Sequence, residues 1–216
     1  MSPATPPRAG IGPQRPREAD LLATATRLFR ARGFHATSMQ DLAEALGMNR
    51  GSLYHYIASK DDLLWRVFSR AFDLLEARVV PVLDSDALPP ERLRLAIREH
   101  LRVAADHADE LSLIQIELRS LAPERRAEMI ARRDAYEACW RAAITAGVAD
   151  GSLRPVDVRI AGIGILSVSN WFTQWFRPDG PLTVDMVAEQ FCDLILDGLL
   201  PRADAAAAQV HPAAQE

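Results

Sequence analysis

"GFHATSMQDLAEALGMNRGSLYHYIASKDDLL", residues 33–64, holds two short helical segments joined by a tight turn. Ser38 stands before "MQDLAEAL" as an N-cap, with Asp41 three residues on in capping-box spacing. Gly47 follows that segment, where a left-handed residue commonly closes a helix. Asn49 is placed to cap a helix over 50–56. Ser59 is placed to cap the next, with Asp61 and Asp62 at its positive end. Ala43, Gly47 and Leu53 fill the pattern small–x3–Gly–x5–apolar. A small residue lets the second helix approach, the glycine permits the turn, and Leu53 faces a core with Leu42, Leu46 and Ile57. The spacing predicts a helix-turn-helix, although αα-hairpins of other kinds share it.

The second of these helices is polar on one side, with Arg50, Ser52, Tyr54 and His55 facing outward. A recognition helix needs donors for base edges and phosphates and little bulk, so that it can enter the major groove. Arg50 is placed to reach guanine or phosphate, and Gly51 lets the backbone come close. Lys60 combines a cation with the free N–H groups of a helix start, which makes a phosphate site. The alternative is a solvated face with core tyrosines. Charge leans toward a nucleic-acid partner. The chain carries −4 overall, but residues 1–60 carry +4 and the remainder −8.

Residues 33–64 resemble the DNA-binding domain of the TetR family of bacterial transcriptional repressors. That family shows G-[ST]-[LI]-Y-x-[HY]-F followed by x-S-K-x-x-L. The corresponding residues are Gly51, Ser52, Leu53, Tyr54, His55, Tyr56 and Ile57, then Ser59, Lys60 and Leu63. Ile57 replaces the usual Phe, a swap within the core. The resemblance implies that Thr37 or Ser38, Arg50, Ser52, Tyr54, His55 and Lys60 contact operator DNA, with Tyr54 and Lys60 on phosphates and Arg50 reading a base. It further implies a C-terminal helical bundle that holds a ligand cavity, with the last two helices pairing in a homodimer.

The rest of the chain fits an all-α fold. Leu, Ala and Arg abound in its 216 residues, and runs of Val, Ile and Thr are scarce. A first helix spans "READLLATATRLFRARG" and stops at Gly33. The fourth runs from Ser59 to about Val80, where it meets Pro81. Longer helices are expected over 91–106, 109–121, 123–149, 155–176 and 183–199, divided by proline and glycine breaks. The expected organisation is a disordered arm 1–16, a helix-turn-helix domain 17–62, a ligand-binding and dimerisation domain 63–201 and a flexible tail 202–216. The longest apolar stretch, 160–172, is too short and too interrupted to span a membrane. Cys139 and Cys192 are isolated and read as buried thiols of a cytoplasmic protein.

Ligand-binding residues are sought in the C-terminal half. "SNWFTQWFRPDGP" places Asn170 and Gln174, and separately Trp171 and Trp175, at i, i+4. Amides on an apolar helix need partners, which a ligand, a facing subunit or the core itself supplies. Gln115 raises the same question, and Trp140 adds a large apolar surface. Arg125, Arg126, Arg132 and Arg133 form either a solvated face or a seat for an anionic head group. The N-W-x3-W-[FY]-R-P-D-G-P segment resembles TetR-family members that answer to acyl-CoA thioesters of fatty-acid or steroid breakdown. Alternatives are a repressor with a different hydrophobic ligand, an all-α enzyme and a ligand-independent architectural DNA binder. No catalytic motif, cofactor fingerprint or metal-ligand spacing is present: His100 and His107 lie seven apart without a third ligand.

Overall fold

The computed structural model describes residues 18–200, all helix and connecting turn. The arm 1–16 and tail 202–216 expected above lie outside the described residues. In chain order the helices are α1 (Glu18–Arg32), α2 (Met39–Ala45), α3 (Arg50–Leu53), α4 (Lys60–Leu83), α5 (Pro89–Asp106), α6 (Ala108–Glu117), α7 (Pro123–Ala149), α8 (Val158–Trp175) and α9 (Val184–Asp197). A short 3-10 turn, Leu118–Ser120, follows α6. The chain divides into two compact units, and the division falls between Val67 and Phe68.

The first unit is built around the buried stripe of α1, namely Leu21, Leu22, Ala25, Leu28 and Phe29, which recurs at the helical period. Gly33 ends α1 at φ +82°, and its N–H donates to the Phe29 carbonyl at 2.9 Å. Ala43, Leu42, Leu53 and Ile57 are buried with it. Gly47, at φ +66°, turns the chain between α2 and α3.

In the second unit α5 is the central element. It packs on α7, α8 and α9, while α6 lies against α8. Its buried side carries Leu93, Ala96, Ile97, His100, Leu101 and Ala104. Gly147 sits where α7 meets the following turn. A Cβ there would come within 2.6 Å of Leu153 and 2.9 Å of Pro89.

Several helix boundaries differ from the sequence expectation: α5 begins at Pro89 instead of 91, α6 ends at Glu117 instead of 121, α9 ends at Asp197 instead of 199, and α4, α3 and α8 differ as follows. α4 runs through Pro81 to Leu83. Pro81 is exposed, so its missing N–H costs one solvent-side bond, while Asp84 N–H still donates to Val80 O at 3.0 Å. α3 stops at Leu53 instead of 56. α8 starts at Val158 instead of 155, because Asp157 is the N-cap and accepts from Ile160 N–H at 3.0 Å.

Candidate functional site

The helix-turn-helix is held by short-range bonds. Ser38 and Asp41 form the capping box of α2: Ser38 N–H donates to the carboxylate at 2.8 Å, and Asp41 N–H donates to Ser38 Oγ at 3.1 Å. The Ser38 hydroxyl and backbone N–H donate to Asp41 and, with Arg32, hold its carboxyl below the usual range. Asn49 Oδ1 caps α3 by accepting from Ser52 N–H at 2.7 Å.

These bonds present Arg50, Gly51, Tyr54 and His55 to solvent, with Ser52 half-buried beside them. Tyr54 stands outward, 44% exposed, rather than bracing the core. The Arg50 guanidinium lies 5.8 Å from its ring centroid and donates to its hydroxyl at 3.3 Å. That contact aligns a cation and a phenol on one exposed face. A Cβ on Gly51 would touch only Asn49 Oδ1, at 3.4 Å. Internal packing therefore does not demand glycine here, whereas close approach of an outside surface would.

Two expected contact residues are engaged within the fold. Thr37 is fully buried, and its hydroxyl donates to Gly33 O at 2.9 Å. Lys60 Nζ donates to the carbonyls of Phe34 (2.7 Å), Thr37 (2.8 Å) and His35 (3.3 Å), and sits 4.4 Å from the Phe34 ring centroid. The three donors of the ammonium are thus spent on the α1–α2 link, which the charge fixes in place. Ser38 is exposed, but its hydroxyl is engaged by Asp41.

The second unit encloses a cavity of about 430 Å³. Its apolar wall comes from Phe72 and Leu75 on α4, Ala104 on α5, Leu111 and Ile114 on α6, and Ile163 and Leu166 on α8. Polar side chains make up about half of the lining, and two of them meet. His100 Nδ1 lies 3.0 Å from Tyr136 Oη, and Asn170 lines the cavity with them. Burial pushes the imidazole pKa down to about 4 and the Tyr136 phenol up. Trp140 backs this group, its ring centroid 6.2 Å from both His100 and Tyr136.

Of the expected ligand residues, Gln115 and Asn170 line the cavity. Trp140, Trp171, Gln174 and Trp175 do not. Trp140 is fully buried behind Tyr136, and Gln174 Nε2 donates to Ser112 Oγ at 2.8 Å, tying α8 to α6. Trp171 is 63% exposed; Trp175 meets Phe172 and Phe191 edge-on. The cavity side of α8 is Ile163, Leu166, Ser167, Asn170 and Thr173. The two tryptophans belong to a different face of that helix. Among the arginines, Arg132 is bound to Asp73 (2.6 Å) and Glu76 and lies over Phe72, so it is not free for a head group. Arg133 lines the cavity and is exposed.

His100 and Tyr136 are the residues the sequence reading missed. The available signal was a lone histidine on the apolar side of α5, and a tyrosine one turn before Trp140. Among the described residues no group of three or more His, Cys, Asp or Glu is placed to hold a metal ion. No described helix is long and apolar enough to cross a membrane.

A family model described as "Bacterial regulatory proteins, tetR family" matches residues 21–67, and one described as "Tetracyclin repressor-like, C-terminal domain" matches residues 86–199. The chain belongs to the TetR family. This TetR-family chain is similar to the HTH-type transcriptional repressor KstR2 of Mycobacterium tuberculosis, with 31% identity over 185 residues covering 85% of this chain and 92% of the relative. The solved structure of that ketosteroid transcriptional regulator has a TM-score of 0.81 at 30% identity, over 87% of this chain and 97% of that one. PfmR from Thermus thermophilus is 40% identical, with TM-score 0.77 over 84% of this chain and 99% of its own. AibR, solved in complex with isovaleryl coenzyme A and operator DNA, is 33% identical, with TM-score 0.75 over 83% of this chain and 97% of its own. The family and these relatives are transcriptional regulators, and so is this chain.

Proposed function

We propose that this regulator is a repressor that binds an inverted-repeat operator as a homodimer and is released by an acyl-CoA thioester. The observation that carries the proposal is the cavity of about 430 Å³ in the second unit, lined by apolar and polar side chains together, in a chain similar to a regulator solved with both isovaleryl coenzyme A and operator DNA. The expected domains divide the work, with DNA binding in 17–62 and effector binding and dimerisation in 63–201. Arg50 reads a base edge, with Ser52, Tyr54 and His55 around it and Gly51 letting the backbone approach. Ser38, Thr37 and Lys60 position that face from within the first unit.

Trp171 (63% exposed), Met186 (50%) and Leu194 (73%) leave α8 and α9 with uncovered apolar side chains, as expected of a self-complementary surface. A two-fold axis then sets half-sites a whole number of helical turns apart, roughly 34–36 Å per turn. The protein acts by binding in the cytoplasm and turns over no substrate.

The test selects bound duplexes from a random pool and titrates the resulting site with CoA thioesters, free CoA and the matching free acids. An inverted repeat released by at least one thioester, and not by its acid or by CoA, is the expected result. An asymmetric site, or release by the free acids alone, overturns the reading.

A further inference from the structure

Arg50 differs from other cations of the first unit in what holds it. Arg32 pairs with Asp41 at 3.0 Å, Arg66 pairs with Asp62 at 3.0 Å, and Lys60 Nζ donates to the Phe34 and Thr37 carbonyls. Arg50 instead donates through Nη2 to the Tyr54 hydroxyl at 3.3 Å, with its guanidinium carbon 5.8 Å from the Tyr54 ring centroid. Among the described residues no carboxylate is paired with it. A carboxylate would orient the guanidinium and cancel its charge. Solvent alone would leave the charge without the orientation. The phenol orients the cation and leaves it positive toward an anionic surface. The contact follows from spacing, because residues four apart on a helix stand one above the other. Arg50 opens α3, and Tyr54 is its C-cap with helical φ −66° and ψ −12°, so the register holds across the pair.

The hydrogen count leaves both members able to act. A guanidinium has five N–H donors, two of them on Nη2. Whichever Nη2 hydrogen meets Tyr54, one two-donor edge stays whole, either Nη1 with Nη2 or Nε with Nη2. Guanine O6 and N7 accept such an edge. The phenol accepts from Arg50 and keeps its own O–H to donate to a phosphate oxygen.

We infer that Tyr54 is a positioning residue for base reading. It fixes the plane of the Arg50 guanidinium before DNA arrives, and so sets how sharply one base pair is discriminated, in addition to its own bond to a phosphate. This rests on the assignment of Arg50 as the base reader given above. An unheld arginine has several rotatable bonds to immobilise on binding, and a loosely aimed edge meets wrong bases as well as the right one. Holding it in advance therefore acts on discrimination and not on affinity alone.

The experiment measures affinities of the full chain for the selected operator and for duplexes with each base pair substituted in turn. The readout is the ratio of affinities within one protein, which a uniform loss of affinity does not move. Wild type should discriminate roughly 5- to 150-fold at the pair Arg50 reads, and Arg50→Ala identifies that pair by bringing its ratio toward unity. Tyr54→Leu should lower the ratio there by about threefold or more, and leave the ratios at other pairs unchanged. Tyr54→Phe keeps the ring and drops the hydroxyl, so its ratio should fall between Tyr54→Leu and wild type. In Arg50→Ala with Tyr54→Leu the ratio should be no lower than in Arg50→Ala alone, since Tyr54 acts through Arg50. Tyr54 is 44% exposed, and circular dichroism should be unchanged in each variant. If Tyr54→Leu fails to fold, Tyr54→Phe decides. Tyr54 variants that lose affinity equally on every duplex, with the ratio at the Arg50 pair intact, overturn this inference and leave Arg50 as the base reader. An Arg50→Ala variant that alters no ratio overturns both.

Discussion

His100 should make the protein acid-labile in a defined window. Burial lowers its folded pKa from 6.5 to about 4, with Asn170 opposing in part. A histidine depressed in the folded state is protonated first in the unfolded chain. Its contribution to stability is fully present above the unfolded value and is lost as pH falls from about 6.5 to about 4. A fall from 6.5 to about 4, at roughly 1.36 kcal/mol per pH unit, amounts to about 3 kcal/mol. The groups around the ring offer no compensating charge. Tyr136, Asn170 and Trp140 surround it, and the acidic groups lining the cavity are Asp134 and Glu137 at the rim. His100→Gln retains a donor and an acceptor without a titrating ring, so its stability should change less across the window. The assay is urea unfolding followed by tryptophan fluorescence at fixed protein concentration, because dimerisation couples to stability. Wild type and His100→Gln losing the same stability between about pH 6.5 and about pH 4 would refute the reasoning.

Lys60→Met should destabilise the first unit by about 2–3 kcal/mol, because the Phe34 and Thr37 carbonyls lose a charged donor; thermal unfolding checks this, and Lys60→Arg should restore only part of it. Arg50→Ala should leave circular dichroism unchanged, cost about 1–3 kcal/mol of operator affinity and relax preference at one base pair, as read by competition with single-substituted operators. Gly147→Ala should cost about 1–3 kcal/mol, since the new methyl meets Leu153 at 2.6 Å and Pro89 at 2.9 Å; denaturant midpoints report it.

The first unit was legible because its determinants are local. Ser38, Asn49 and Ser59 each cap within three residues, and Gly47 takes the left-handed turn that its place after α2 required. The internal bonds of Lys60 and Thr37 were not legible for the opposite reason. Their partners lie up to 26 residues away or on buried carbonyls, and a lysine at a helix start looks the same whether it faces phosphate or backbone. In the second unit the helices could be read from their breaks, but the cavity could not. Its lining is drawn from α4 to α8, and which face of α8 points inward depends on how α8 packs against α5, α6 and α7. Trp171 and Trp175 attracted attention by size and spacing, and they lie off the cavity face. The histidine that organises the cavity was weighed only as a metal ligand, since nothing in α5 alone marks a polar partner 36 residues on.

The most direct test of an effector-released repressor is reciprocal linkage. Operator affinity is measured with and without a releasing thioester, and thioester affinity with and without saturating operator. Thermodynamics requires the two factors to be equal, typically about 5–150-fold for coupled sites. A shared factor well above unity is the predicted result. A thioester that binds the free protein and the operator complex equally well would contradict the account.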